Sequence, residues 1–99
     1  MPDPIAVTRS DETTHGDYRT EVPGSPRPAV LTWVARGPIR VANHTFVPPE
    51  ARGRGIAQLL LVEALVSDAR EHGFTIEPQC SYVAALFRRN PDWADVRAG

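Results

Sequence analysis

Three groups of residues in this chain have types and spacings suited to chemistry. The first is Arg52-Gly53-Arg54-Gly55-Ile56-Ala57, which runs directly into a long apolar segment. A glycine-rich loop feeding a helix N-terminus presents consecutive backbone N–H groups and partial positive charge, a setting suited to an anion. Gly53 and Gly55 carry no Cβ, so a phosphate can come close to the main chain there. Two glycines before a helix also serve a plain tight turn. The strand that precedes the loop and the helix that follows it favour the phosphate cradle. The second group is the lone thiol, Cys80. It lies where a strand gives way to a helix, so the helix dipole favours its thiolate, although a cysteine is as readily a small packed hydrophobe. The third is His44, at the end of the strand before the loop.

The elements that must position these groups follow from local pattern. Ile5 to Thr8 and Tyr18 to Val22 read as short strands, with a polar turn over Ser10 to Asp17. Pro23 to Pro28 contains three prolines and reads as a loop. In Ala29 to Ala35, Leu31 and Trp33 fall on one face and Val30, Thr32 and Val34 on the other, the period-2 pattern of a strand. Arg36-Gly37-Pro38 turns the chain into a further strand, Ile39 to Val47, and connections this short favour an antiparallel meander. The segment Gly55 to His72 reads as the longest helix, with Glu63, Ser67, Arg70 and Glu71 in one polar strip and apolar residues over much of the rest. Gly73 stops it. Phe74 to Gln79 is then a strand that can run parallel to Ile39–Val47, Ser81 to Arg89 a shorter helix, and Trp93 and Val96 a closing flap. The fold class expected is α+β: a mixed, largely antiparallel sheet with one long helix, one short helix and a central parallel crossover. A single domain over residues 1–99 is expected, with residues 1–4 and 97–99 as loose ends.

Composition removes several function classes. Eleven basic side chains against twelve acidic ones give a net charge of -1, unlike a basic nucleic-acid-binding domain. No run approaches the roughly 18 apolar residues of a membrane span. No basic-then-apolar leader opens the chain, and a lone cysteine precludes an internal disulfide, so a cytoplasmic protein is expected. No CxxC, HExxH or clustered His/Asp/Glu pattern predicts a metal site, and no GxSxG elbow predicts a serine hydrolase.

The element order and the central motif resemble the GNAT superfamily of N-acetyltransferases. Its acyl-CoA signature is Gln or Arg, two residues, Gly, one residue, then Gly or Ala, and Arg52 to Ala57 satisfies it at each defined position. The resemblance is closer to the small YjdJ-like single-domain branch. The residues that carry it are His44-Thr45-Phe46-Val47, Arg52 to Ala57, Pro78-Gln79-Cys80-Ser81-Tyr82 and Asn90-Pro91-Asp92-Trp93. Asn90 and Trp93 depart from the histidine and tyrosine usual there, and Pro23–Pro28 is longer than the usual turn.

This resemblance implies acetyl-CoA as the acyl donor, held in a gap between strands Ile39–Val47 and Phe74–Gln79. Its pyrophosphate would rest on the N–H groups of Arg54 to Ala57, with Arg52 and Arg54 adding charge. Backbone around Phe46 and Val47 would hold the acyl arm. If Cys80 reacts and is not simply packed, it would take the acetyl group before an amine does; His44 would act as base for Cys80 or for the amine, or else be a histidine hydrogen-bonded in or under the sheet. Larger relatives wall the acceptor groove with N-terminal helices, and no helical pattern precedes Ala29 here. An open acceptor side is therefore expected, suited to a protein or peptide amine, in a monomer with no nucleic-acid or membrane partner. A CoA-binding module without efficient transfer, and an interaction domain with a structural cofactor, are the competing expectations.

Overall fold

The computed structural model describes residues 7–22, 24–49 and 56–98. Five strands form one sheet: β1 (Val7–Asp11), β2 (His15–Thr20), β3 (Ala29–Arg36), β4 (Ile39–Phe46) and β5 (Thr75–Pro78). They lie in chain order across the sheet. The first four make an antiparallel meander, and β5 pairs parallel to β4. Helix α1 (Ile56–His72) supplies the crossover between that parallel pair, and α2 (Ser81–Arg89) and a 3₁₀ helix (Pro91–Val96) follow β5. The α+β class and the largely antiparallel sheet read from the sequence hold. The parallel pair lies toward one edge, and among the described residues only an Ile76–Arg97 bridge lies beyond it.

Alternation in β2 and β3 selects the core face. Gly16, Tyr18, Thr20, Ala29, Leu31 and Trp33 are buried on it, while Val30, Thr32 and Val34 are half-exposed on the other. On α1, Ala57, Leu61, Val62, Leu65, Val66 and Ala69 face the core, and Glu63, Ser67, Arg70 and Glu71 are exposed, as the helical period requires. Val83 and Phe87 of α2 join the same core, as do Trp93 and Val96. The expected flap is thus a 3₁₀ turn whose Trp93 ring meets Phe87 edge-on, with centroids 5.4 Å apart. Gly73 ends α1 in the left-handed region at φ 79°, and its N–H bonds to the Ala69 carbonyl at 2.8 Å. Among the described residues no helix is long and apolar enough to cross a membrane.

Two local expectations are corrected. The polar stretch Ser10–Asp17 is not all turn: β1 runs to Asp11 and β2 starts at His15. At an exposed edge strand, ladder hydrogen bonds satisfy the backbone while polar side chains stay in water, so low β propensity there costs little. The tail is not loose from residue 97, because Arg97 bridges Ile76 and the Ala98 N–H bonds to the Ile76 carbonyl at 2.7 Å.

Candidate active site

Strand β4 outruns β5. Their ladder ends at Ala42–Pro78, after which the Ala42 carbonyl accepts the N–H groups of both Gln79, at 3.1 Å, and Cys80, at 2.9 Å. From His44 to Phe46, β4 stays paired to β3 on one side, through Thr32–His44, Leu31–Thr45 and Val30–Phe46. On its other side, no described strand pairs with it. The register slips by one residue at this point, leaving Asn43 as a bulge between His44 and Ala42. A bulge bends its strand and sharpens its twist at this point. The result, among the described residues, is a stretch of β4 past Ala42 with no strand against it, beside the junction of β5 and α2.

Cys80 occupies that junction. It is the N-cap residue of α2 in extended conformation, and its carbonyl accepts the Ala84 N–H at 2.9 Å to open the helix. Its half-buried Sγ lies 3.4 Å from the Thr45 hydroxyl on β4. Burial pushes the thiol up, but the Thr45 hydroxyl and the backbone N–H groups of Tyr82, Val83 and Thr45 itself outweigh it and hold the thiol below its ordinary value. Tyr82, two residues on, is the large hydrophobic side chain left in solvent, 54% exposed.

The other expected site residues are placed as follows. His44 is exposed on β4. It neighbours Thr45 along the strand, so it projects to the opposite face from the one on which Thr45 meets Cys80. Phe46 pairs with Val30 and lies under the Arg27 guanidinium, 4.7 Å from its ring centroid. Val47 is buried in the core, and Ala57 is buried in the first turn of α1. Ile56 begins α1. Arg52, Gly53, Arg54 and Gly55 lie outside the described residues.

Two features escape a reading by motif. Thr45 is one: attention goes to the histidine beside it, yet the i, i+2 relation to the apolar Val47 already assigns Thr45 to the core face. The other is a charged network at the far end of α1. Asp68 follows Leu61 and Leu65 at i+7 and i+3, hence on the buried stripe. Its Oδ2 accepts from the Tyr18 hydroxyl at 2.7 Å and from Arg9 Nε at 2.8 Å. Arg40 is stacked between the rings of Trp33 and Phe74, each centroid 4.0 Å away, and donates to Asp11 at 3.1 Å. Arg9, Asp11, Tyr18, Trp33, Arg40 and Asp68 line a cavity of about 120 Å³. Asp68, Glu71 and His72 also bring one potential ligand atom each to within 4.8 Å of one another, a cluster not expected from motif spacing. Helical i, i+3, i+4 geometry gathers them, and the Arg9 cation already neutralises the buried member.

Against this geometry, the family model described as GCN5-related N-acetyl-transferase matches residues 17–96, most of the chain, from within β2 through every later element. The match covers β4, the loop, α1, β5 and the Cys80 junction together, and supports acetyl transfer as the general activity. The chain belongs to the GCN5-related N-acetyltransferase family.

Proposed function

We propose that the protein is an acetyl-CoA-dependent N-acetyltransferase of minimal size, of the YjdJ-like kind, and that it passes acetyl through Cys80. The observation that carries this reading is the position of the Cys80 thiol. It stands at the point where β5 leaves β4, held by a β4 hydroxyl and by the first amides of α2. The donor fits here on two counts. The β4 edge beyond Ala42 has no described strand against it, so an extended chain with amide groups can pair there. The loop Arg52–Gly55 offers glycine and guanidinium beside a helix N-terminus, which suits a diphosphate.

Bound acetyl-CoA supplies an acetyl thioester. The Cys80 thiolate would donate an electron pair to the acetyl carbon, forming a carbon–Sγ bond as the donor's carbon–sulfur bond breaks, and the donor sulfur would leave with that bond's electron pair as a thiolate that takes a proton from water. A main-chain N–H near Phe46 or Val47 would steady the oxygen that becomes negative, an effect of about 3 kcal/mol for one well-aimed donor. The acceptor amine then forms a carbon–nitrogen bond as the carbon–Sγ bond breaks, returning the Cys80 thiolate. The amine proton goes to a base. His44 is the base we assign to the amine; its projection from the face of β4 opposite the Thr45–Cys80 contact favours that role over service to Cys80. That side leaves room for an amine on a peptide or protein.

The test is acetyl transfer to a panel of amines, small and peptidic, with the wild type and Cys80→Ala. Transfer that disappears in Cys80→Ala supports the proposal. Tight CoA binding with only slow thioester hydrolysis would instead make the protein a CoA-binding module. Gly55→Glu tests the cradle separately: it should weaken CoA binding at least tenfold, because a carboxylate replaces the space and charge a phosphate needs. Unchanged affinity in a folded variant would remove the loop from the site.

A further inference from the structure

We infer that Thr45 is a positioning residue for Cys80: its hydroxyl donates a hydrogen bond to the thiolate, aims the sulfur at the open β4 edge and stabilises its charged form. The inference rests on the reading that Cys80 is the acyl-carrying nucleophile, and deepens it by naming what activates the sulfur.

The Thr45 Oγ1 to Cys80 Sγ separation is 3.4 Å, a hydrogen-bonding distance for sulfur, across 35 positions of sequence. With a thiol present either atom can donate. A thiolate has no proton, so once Cys80 ionises the threonine must be the donor. Thr45 is held rigidly in that role. Its strand is paired with β3 through Leu31, and Cys80 is fixed to the same strand by its N–H bond to Ala42. Both ends of the contact are thus anchored to β4, and the sulfur is left without the side-chain freedom an isolated cysteine would have.

The titratable neighbours do not supply this function. His44 projects from the opposite face of β4, Glu77 of β5 faces Arg36 at 3.7 Å, and Tyr82 of α2 is exposed. Arg52 and Arg54 of the loop before α1 lie outside the described residues, and they are common to every variant compared below. A neutral hydroxyl suits a nucleophile that must also leave. It favours the thiolate without the proton a nearby histidine would bring, and so assists attack on the donor and departure when the amine displaces the sulfur.

The test is the rate of Cys80 alkylation by iodoacetamide from pH 5 to 10 in wild type, Thr45→Val and Thr45→Ser, with no CoA present. Valine keeps the shape and removes the donor, so the thiol should titrate about one pH unit higher. A thiolate of higher pKa is intrinsically more nucleophilic, with a slope near 0.5, so the two profiles should cross. Thr45→Val should be about threefold slower than wild type well below the midpoint and about threefold faster above it. Thr45→Ser should follow the wild type. A uniform change of rate at every pH would mean that Thr45 only packs against Cys80, and coincident wild-type and valine profiles would remove it altogether. Acetyl uptake from acetyl-CoA, measured on the same proteins, separates the two readings. Crossed profiles with no uptake leave Thr45 as the thiol's partner and end the acyl-enzyme step. Uptake with coincident profiles keeps that step and ends the role of Thr45.

Discussion

The two ends of α1 bury polar groups in opposite ways. At its C-terminal end, Asp68 is satisfied twice, by Tyr18 and Arg9, and Arg40 is closed in by two aromatic rings and Asp11. Each of these charges has a charged or hydroxyl partner inside the protein. Beyond its N-terminal end, Cys80 has one neutral side-chain partner, Thr45, and the β4 edge beside it runs on past the last residue of β5. Full satisfaction produces a rigid clasp between sheet and helix. Neutral donors hold the sulfur without a counter-charge, beside a stretch of β4 with no described strand against it where something else can bind. The same small core therefore supports one end built for stability and another suited to chemistry, and substitutions should separate the two readouts.

The largest effect is expected at the open end and on activity alone. Cys80→Ala should abolish acetyl uptake while leaving the urea midpoint near that of the wild type, since it removes one sulfur from a half-buried position. Activity retained in this variant would mean direct transfer and would erase the functional half of the contrast.

The next effects belong to the closed end and to stability. Gly16 lies opposite Trp33, and a Cβ there would collide with the Ser10 carbonyl oxygen and with the indole, 2.6 Å from its nearest ring atom. Neither neighbour can yield easily, so Gly16→Ala should cost about 3 kcal/mol in urea denaturation. Asp68→Ala leaves the Tyr18 hydroxyl, on a side chain only 1% exposed, without its acceptor. A loss of about 2 kcal/mol is expected. The half-exposed Arg9 adds little, because water replaces the carboxylate. The Cys80 alkylation profile should not change in either folded variant.

The smallest effect is a slope. Burial raises the Asp68 carboxyl, but hydrogen bonds from Arg9 and Tyr18 outweigh it and hold it below its ordinary value of 3.8. A depressed carboxyl adds stability that is complete above that ordinary value and is lost as the pH falls through the folded one. Wild-type urea midpoints should therefore drop on acidification below about pH 4. In Asp68→Asn the drop should be shallower. Equal slopes would show that the clasp does not depend on the charge of Asp68.

Much of this contrast can be traced to the chain, and unevenly. Helix α1 and its stop at Gly73, the two faces of β3, and the placement of Cys80 between strand and helix all follow from local period and punctuation, where neighbours in sequence decide the outcome. The network around Asp68 was present in the spacing of Leu61, Leu65 and Asp68, since an acid on an apolar stripe demands a partner, but the identity of that partner, Tyr18 or Arg9, is a matter of sheet register. The Thr45–Cys80 contact is similar: it exists because a bulge at Asn43 and the end of β5 at Pro78 bring two distant residues together. The extension of β1 to Asp11 was hidden by polar composition, which an exposed edge tolerates. The departure of His44 from the neighbourhood of Cys80 follows from strand alternation alone.

The central claim is that the open end carries acetyl on its thiol. Its most direct measurement is the intact mass of the protein after brief incubation with acetyl-CoA, followed by peptide mapping. The account predicts one added acetyl group, on the peptide containing Cys80, removed by an amine and absent in Cys80→Ala. An unchanged mass in a wild-type protein that nevertheless acetylates an amine would contradict it.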